Sequence, residues 1–446
     1  MRFREPQKKT AKNETQPINP PPLPSTIERE GWVTQVREYE LITPLFGGGV
    51  EAGVVDTEAP ISGKGIRGQL RFWWRATRGG QFDTIEEMKE EEDRIWGAAA
   101  RHEGVSEQNY SNPVQLSIKI VDKGQVYRRT NISDPRTTLG YVAFPLRDMQ
   151  NAAVVEGIQF QLQVDYAEDV QEDVQATLWA WETFGGAGAR TRRGFGAVRC
   201  VRKVINGAEV RLSAVNKGEI RKKLGEYVVD GRWPDGVPHL SKQKSFTRFL
   251  IVGGDVTKAW EELVESMRDF RQYRANKTIQ TKQGPKTGPW GRSCWPEADA
   301  VRRRTSHSSR HAPKNPVDKF PRAAFGLPIV FHFKEQDVQH GDPEDTTLLL
   351  SGRTNQENLR ADQFDRLASP VILRPVYVSE KRSLAISTRL EVKPAFPLHA
   401  NLVLKGAPDD PKVEHRLTKK EAIDLDDVVS EQTDVLNAFL DFFSEE

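Results

Sequence analysis

Residues 33–45 read as a strand that runs into a glycine-rich loop, Gly47-Gly48-Gly49. Ile66, Leu70, Trp73 and Thr77 then fall on one side of a helix predicted from about Gly65 to Arg78. Residues 84–101 form another helical piece. Val114, Leu116, Ile118 and Ile120 alternate with polar neighbours, as do Ile158, Phe160, Leu162, Val164 and Tyr166. A period of two is that of a half-buried strand. Val170, Val174, Leu178 and Trp181 mark a helix that stops at Gly185-Gly186, and Phe195, Ala197 and Val198 open a last strand. The order β-α-β-β-α-β is the ferredoxin-like arrangement of an α+β protein. RNA-recognition modules share that layout, with nucleic acid crossing the open sheet face. The segments 81–113 and 122–157 exceed what a minimal version needs and read as lobes or contact loops.

The second half is less regular. Phe246 to Val252 reads as a strand and Val256 to Tyr273 as a helix. Further strands are predicted at 327–333, 370–378 and 384–393. Val428, Val429, Val435, Leu436, Phe439, Leu440 and Phe443 make a C-terminal amphipathic helix with an acidic outer face. Residues 276–320 are polar, basic and mostly without periodicity. A second copy of the first arrangement fits this order, although no internal repeat stands out. Residues 1–27, rich in Pro with Lys, Gln, Asn and Thr, read as a disordered arm.

Composition narrows the function classes. Across 446 residues, Lys+Arg number 65 and Asp+Glu 63, so a uniformly basic nucleic-acid coat is excluded but local basic patches are not. No apolar run is long enough for a membrane span, and the N-terminus has no apolar segment of a secretory signal. Cys200 and Cys294 are the only cysteines, which excludes a disulfide scaffold and an all-cysteine zinc site and suits a reducing cytoplasm.

Three constellations carry candidate chemistry. Residues 61–80 contain Lys64, Arg67, Arg71, Arg75 and Arg78 and no acid. The arginines share one helical face, and guanidinia in that pattern suit phosphate, with Lys64 at a helix start that favours an anion. The alternative is a solvated face paired with acids elsewhere in the fold. Trp73 and Trp74 are expected in the core. The second constellation is Phe184-Gly185-Gly186-Ala187-Gly188-Ala189-Arg190-Thr191-Arg192-Arg193-Gly194-Phe195-Gly196. Its glycines let backbone approach a ligand closely, and successive N–H groups can form an anion-holding nest. Its alternative is a long flexible turn. It is neither a Walker A loop nor a dinucleotide fingerprint. The third is the basic segment 268–314, which includes Arg302, Arg303, Arg304, His307, Arg310 and His311 with Ser306, Ser308 and Ser309. Such a loop fits contact with a nucleic-acid backbone, either preformed or ordered by its partner.

Several enzyme signatures are missing. His307 and His311 have the spacing of a metal pair but no adjacent Glu and no nearby Cys or third His, so no zinc is expected. There is no His-Asp doublet and no G-x-S-x-G elbow, and Gly253-Gly254-Asp255 is followed by Val256 rather than a second Asp. A metal-free ribonuclease, which would need only a His, Tyr or Lys near the scissile phosphate, stays open, as does a purely protein-binding role.

Three segments together carry a resemblance. They are Ile42-Thr43-Pro44-Leu45-Phe46-Gly47-Gly48-Gly49 with Ile66-Arg67-Gly68-Gln69-Leu70-Arg71-Phe72-Trp73-Trp74-Arg75; the loop 184–196; and Ala324-Phe325-Gly326-Leu327-Pro328-Ile329 with Arg366-Leu367-Ala368-Ser369-Pro370-Val371-Ile372-Leu373-Arg374-Pro375. From about residue 35 to about 380 the chain resembles the RAMP superfamily of CRISPR proteins, and more narrowly the family of first subunits of the Cmr complex, the type III-B RNA-targeting effector. The resemblance implies two ferredoxin-like, RRM-like domains with long insertions. The arm would occupy 1–27, the first domain 28–208, and the second domain 209–446 with a basic insertion at 276–320 and the C-terminal helix. It implies a non-catalytic subunit that holds the 3′ region of guide RNA, helps capture target RNA and contacts other RAMP subunits. No cofactor, membrane or small-molecule substrate is expected. The implied RNA-binding residues are Gly185, Gly186, Gly188, Arg190, Arg192 and Arg193, with Lys64, Arg67, Arg71 and Arg75; the basic segment adds Arg302, Arg303, Arg304, His307 and Arg310.

Overall fold

A computed structural model describes residues 29–49, 51, 53–98, 113–126, 132–147, 154–281, 284–289, 291–307, 309–333, 341–351, 366–396 and 400–444. The arm expected at 1–27 lies outside them. The first half runs β1 (Trp32–Leu41), β2 (Leu45–Phe46), α1 (Gly63–Arg78), α2 (Ile85–Trp96), β3 (Val114–Asp122), β4 (Gln125–Val126), β5 (Val154–Glu156), β6 (Gln159–Ala167), α3 (Gln171–Phe184), β7 (Val198–Ile205) and β8 (Ala208–Glu209).

Local chemistry sets these limits. The Ser62 hydroxyl accepts from the Gly65 amide and opens α1. A reciprocal capping box between Thr84 and Glu87 opens α2, which Gly97 ends. The Gly185 amide closes α3 on the Trp181 carbonyl. The main sheet has the order β3-β6-β1-β7-β8 with every neighbour antiparallel. In chain order its four long strands therefore lie second, third, first, fourth. Helices α1 and α3 pack on each other, and their apolar faces cover one side of the sheet through Ile66, Leu70, Trp74, Val174, Leu178 and Trp181.

The second half runs α4 (Lys217–Tyr227), β9 (Thr247–Gly253), α5 (Val256–Arg271), β10 (Asn276–Thr281), β11 (Gly284–Pro289), α6 (Glu297–Arg304), β12 (Ile329–Phe331), β13 (Thr346–Ser351), β14 (Val371–Ser379), β15 (Arg382–Arg389), β16 (Asn401–Lys405), α7 (Lys419–Asp424), α8 (Asp426–Val429) and α9 (Val435–Phe443). It is not a plain second copy of the first. One sheet, β14-β15-β9, repeats the spatial order second, third, first, with α5 and α9 on one face and no fourth strand among the described residues. The other face of that sheet joins the first half's core through Phe249, Ile372, Val376, Leu384 and Ile386. Burial on both faces explains why Val371–Val376 is a continuous apolar run broken only by Arg374 and Pro375. A separate sheet, β12-β13-β16, closes its own core of Phe320, Phe331, Leu348, Leu350, Leu402 and Leu404.

Two expectations need correction. The basic segment 276–320 holds an antiparallel hairpin, β10–β11, in which the Thr278 and Thr287 hydroxyls meet at 2.7 Å. It also holds α6, whose acidic first turn (Glu297, Asp299) and basic last turn (Arg302, Arg303, Arg304) complement the helix dipole. The single C-terminal helix is instead α8 and α9, parted at Ser430 and Glu431, both with positive φ (47° and 59°).

Candidate nucleic-acid interface

The sheet face opposite the helices is a poor platform for bases. It presents Glu38, Glu40, Gln161 and Gln163, with Arg199 paired to Glu40 and Arg202 to Glu38. Apart from Trp32 at the very start of β1, the aromatic residues of the central strands face the other way. Tyr39 stacks on Phe160 at 5.2 Å and meets Trp181 edge-on at 5.3 Å, all inside the core. Stacking across the sheet in the RNA-recognition-module manner therefore has no side chains to use in the middle of this face.

The glycine-rich segments converge elsewhere, at the N-terminal end of α1. The loop after α3 is laced to residues 43–46: Ala189 N donates to Phe46 O (2.7 Å), Gly196 N to Pro44 O (2.9 Å), and the Thr43 hydroxyl to Gly194 O (2.7 Å). A Cβ on Gly48 would lie 3.4 Å from Gly188 Cα, so the two glycine loops touch. At Gly188 (φ 75°) a Cβ would meet Leu45 at 2.6 Å and the Phe46 carbonyl at 2.7 Å, so a glycine is required there. Between these loops and α1 lie two pockets, both bounded by Gln69. One, about 200 Å³, is bounded by Gly48, Ile61, Ser62, Gly65, Gly188 and Ala189. The other, also about 200 Å³, is bounded by Phe72, Trp73, Phe184, Thr191, Arg192 and Ile372. Lys64 is exposed between Ser62 and Gly65, both of which bound the first pocket, in a helical first turn without acids. The anion nest expected of the loop is reduced, because its amides at 185, 187, 189, 193, 194 and 196 all donate within the protein.

Most of the arginines singled out in the sequence have partners inside the fold. Arg71 bonds Glu92 and Asp93 at 2.6 Å each, and Arg75 reaches the same Glu92. Burial opposes the charge on Arg71, but the two carboxylates outweigh it and raise its pKa. Arg67 donates to the Trp96 carbonyl, and its pKa is lowered by burial and then by Arg71. Helix α2 thus supplies the acids that 61–80 lacks, and the face read as open for phosphate is largely neutralised. Trp73 and Trp74 lie in the core as expected.

The loop arginines divide in the same way. Arg193 donates to Val371 O at 2.9 Å, and burial pushes its pKa down to about 9. The Trp260 indole donates to the Arg193 carbonyl at 2.7 Å. Arg192 donates to Ser369 O and lies 5.4 Å from the Phe72 ring centroid. Arg190, at φ 56°, sits over Phe144. Burial lowers the pKa of both Arg190 and Arg192. Arg192 and Arg193 thus tie the glycine loop to β14 and its approach, a junction role that sequence spacing could not reveal.

In the basic segment Arg302 is held by Asp299 and Asp342 at 2.7 Å each, and Arg303 and Arg304 by Asp318. His311 Nδ1 lies 3.2 Å from Asp342, and His307 Nδ1 lies 3.2 Å from the Thr305 carbonyl. Arg310 is exposed, as are Lys277 and Lys286 on the hairpin. No cluster of three metal-ligating side chains occurs among the described residues. Gln69, Phe72 and Thr191 line these pockets but were not picked out. Their only signal was position inside the two motifs that carried the resemblance.

Residues 38–199 match the model of the RAMP superfamily. The particular relatives are Cmr subunits of Pyrococcus furiosus. The chain is 27% identical to CRISPR system Cmr subunit Cmr1-2 over 183 residues, covering 36% of this chain and 92% of that protein. It is 29% identical to subunit Cmr1-1 over 245 residues, covering 49% of this chain and 67% of that protein. Among solved structures, it is similar to apo Cmr1 from Pyrococcus furiosus (TM-score 0.44, 18% identity, 83% of this chain and 93% of that one). It is also similar to a chain of the Type III-B Cmr-beta complex bound to cognate target RNA (TM-score 0.44, 12% identity, 81% and 95%).

Proposed function

We propose that this chain is a non-catalytic, RNA-binding subunit of a type III-B CRISPR (Cmr) effector complex that holds the 3′ region of guide RNA and helps capture target RNA. Its partners would be those RNAs and the other RAMP subunits. The observation that carries the reading is the pocket at the start of α1, where both glycine loops of the resemblance meet. The similarity to two Cmr subunits supports the choice of complex. In this reading residues 28–208 are a ferredoxin-like domain, as the strand order second, third, first, fourth suggests. Residues 209–446 are a second, reduced version.

RNA contact then falls mainly to Lys64, Gly188, Arg190 and the uncommitted donors of Arg192, with Arg310 and His307 further along the chain; Gly185 and Gly186, expected to touch RNA, are buried behind Trp73 and Trp181 and would support that surface from beneath. Sequence specificity comes from guide–target pairing, while the protein holds backbone. The test is binding of labelled single-stranded RNA to the full chain at several salt concentrations. Lys64→Gln combined with Arg190→Gln should weaken binding and flatten the salt dependence by about 0.7 for each phosphate that is no longer neutralised. Unchanged affinity and slope would sink the assignment. Cleavage of precursor RNA in excess EDTA, abolished by changing His307 and His311, would replace it with a ribonuclease.

A further inference from the structure

The loop that carries Arg190 and Arg192 belongs to the first half, but much of what holds it comes from the second. Arg374 of β14 closes its base by donating to the carbonyls of Glu182, in the last turn of α3, and Val198, the first residue of β7. Arg192 and Arg193 reach the carbonyls of Ser369 and Val371. The middle of the loop is held from α5. Thr191–Arg193 form a single helical turn between two residues of positive φ, Arg190 (56°) and Gly194 (85°). The Trp260 indole N–H donates to the carbonyl of Arg193, the last residue of that turn, at 2.7 Å. The same ring system meets Phe195 edge-on at 4.9 Å. A Cβ on Gly194 would lie 2.4 Å from Trp260 Nε1 and 3.3 Å from Pro375 of β14, so the loop is pressed against both elements.

Left to itself the loop would not keep this shape. Glycine stands at 185, 186, 188, 194 and 196, and each adds backbone freedom. The turn has two hydrogen bonds of its own, Arg193 N to Arg190 O and Gly194 N to Thr191 O. Two bonds are too few to offset the ordering of its backbone. Arg190 holds a left-handed conformation that a residue with a Cβ keeps only where its surroundings impose it. Trp260 is 1% exposed and bounds neither pocket, so any effect it has on a ligand of the loop runs through the loop. On these grounds we infer that Trp260 is a positioning residue for RNA contact. Its N–H, with the β14 carbonyls, fixes the turn that sets Arg190 and Arg192 in place, and the loop is competent only while the second half is docked on it. The inference rests on the RNA-binding reading for its ligand; the clamp itself does not. A loop competent for part of the time binds with its affinity reduced by that fraction. One hydrogen bond to a buried carbonyl changes the balance of closed and open loop roughly 2- to 12-fold.

The test uses the full chain. Trp260→Phe keeps a ring against Phe195 and removes the N–H. Arg193→Met releases the same turn from Val371 O and provides a second variant. Val264→Ala trims the same core cluster one helical turn along α5 and removes no hydrogen bond of the loop, so it controls for lost packing. Trypsin cleavage after Arg190 and Arg192, measured against cleavage after Lys277 and Lys286 of the exposed hairpin, reports loop opening without RNA. Trp260→Phe and Arg193→Met should each speed it by the factor given above, and Val264→Ala should not. Trp260→Phe should also weaken binding of labelled single-stranded RNA by up to that factor. Arg190→Gln should then lower affinity less in the Trp260→Phe background than in the wild type. Loop cleavage unchanged in both loop variants, or equally fast in Val264→Ala, would overturn the clamp and leave the RNA-binding reading untouched. A loosened loop with RNA affinity unchanged would overturn the positioning role. A wild-type chain that retains no RNA would overturn the RNA-binding reading, and the cleavage rates would still decide the clamp.

Discussion

Arg374 is 1% exposed, and its Nη2 donates to the carbonyls of Glu182 and Val198 at 2.7 Å each. Burial pushes its pKa down to about 9. It enters the first half's helix–strand junction from β14, so its removal leaves two buried carbonyls without a donor. Arg374→Leu should lower stability by about 1–3 kcal/mol in urea unfolding. Arg71 makes a comparable case. Arg71→Gln strips one cation from Glu92 and Asp93, both nearly buried. It should cost about 1–3 kcal/mol of stability while changing RNA affinity little. The opposite pattern, a weakened RNA affinity with stability intact, would return Arg71 to the phosphate-binding set.

At the scale of elements, glycines separate two kinds of position. Gly68 lies exposed inside α1 with nothing within 4 Å of an added Cβ. Gly68→Ala should therefore stabilise by about 0.5–1 kcal/mol. Gly196 has φ 60°, and an added Cβ would lie 1.9 Å from the Ala187 carbonyl. Gly196→Ala should destabilise by about 3 kcal/mol, and the pair of urea midpoints moving in opposite directions checks both. The long elements of the first half were legible because α1, β3 and β6 each bury one face and follow their periods, while α3, buried all round from Ala176 to Trp181, still shows Val174, Leu178 and Trp181 at helical spacing. The hairpin β10–β11 escaped notice because it is held by backbone pairing and facing threonines rather than by an apolar face. β13 and β16 were also missed, and they form a core with strands and loops distant in sequence. The candidate site was legible only as motifs. That Arg71 and Arg75 meet α2, and that Arg192 and Arg193 meet the residues leading into β14, are tertiary facts that local charge cannot convey.

For the whole molecule, the halves are joined by a shared core and by guanidinium-to-carbonyl bonds, so they should unfold together. A buried histidine, His239, and a half-buried one, His415, set an acid limit on that stability. His415, edge-on to Phe396 at 4.1 Å, is pushed down to about 4, first by burial and then by Arg416 and Lys319. His239, stacked on Trp233, is lowered by burial. Between the ordinary value of 6.5 and about 4 the unfolded chain binds a proton that folded His415 does not. Stability should therefore fall as pH drops through that window, and His415→Gln should flatten the fall in a thermal-unfolding series. The central claim, however, concerns RNA. The most direct measurement is to tag the chain in its native host, purify it gently and sequence the RNA that accompanies it. Short RNAs with a shared repeat-derived 5′ tag and varied spacer sequences are the expected result. No RNA, or RNA without that tag, would contradict a place in a CRISPR effector.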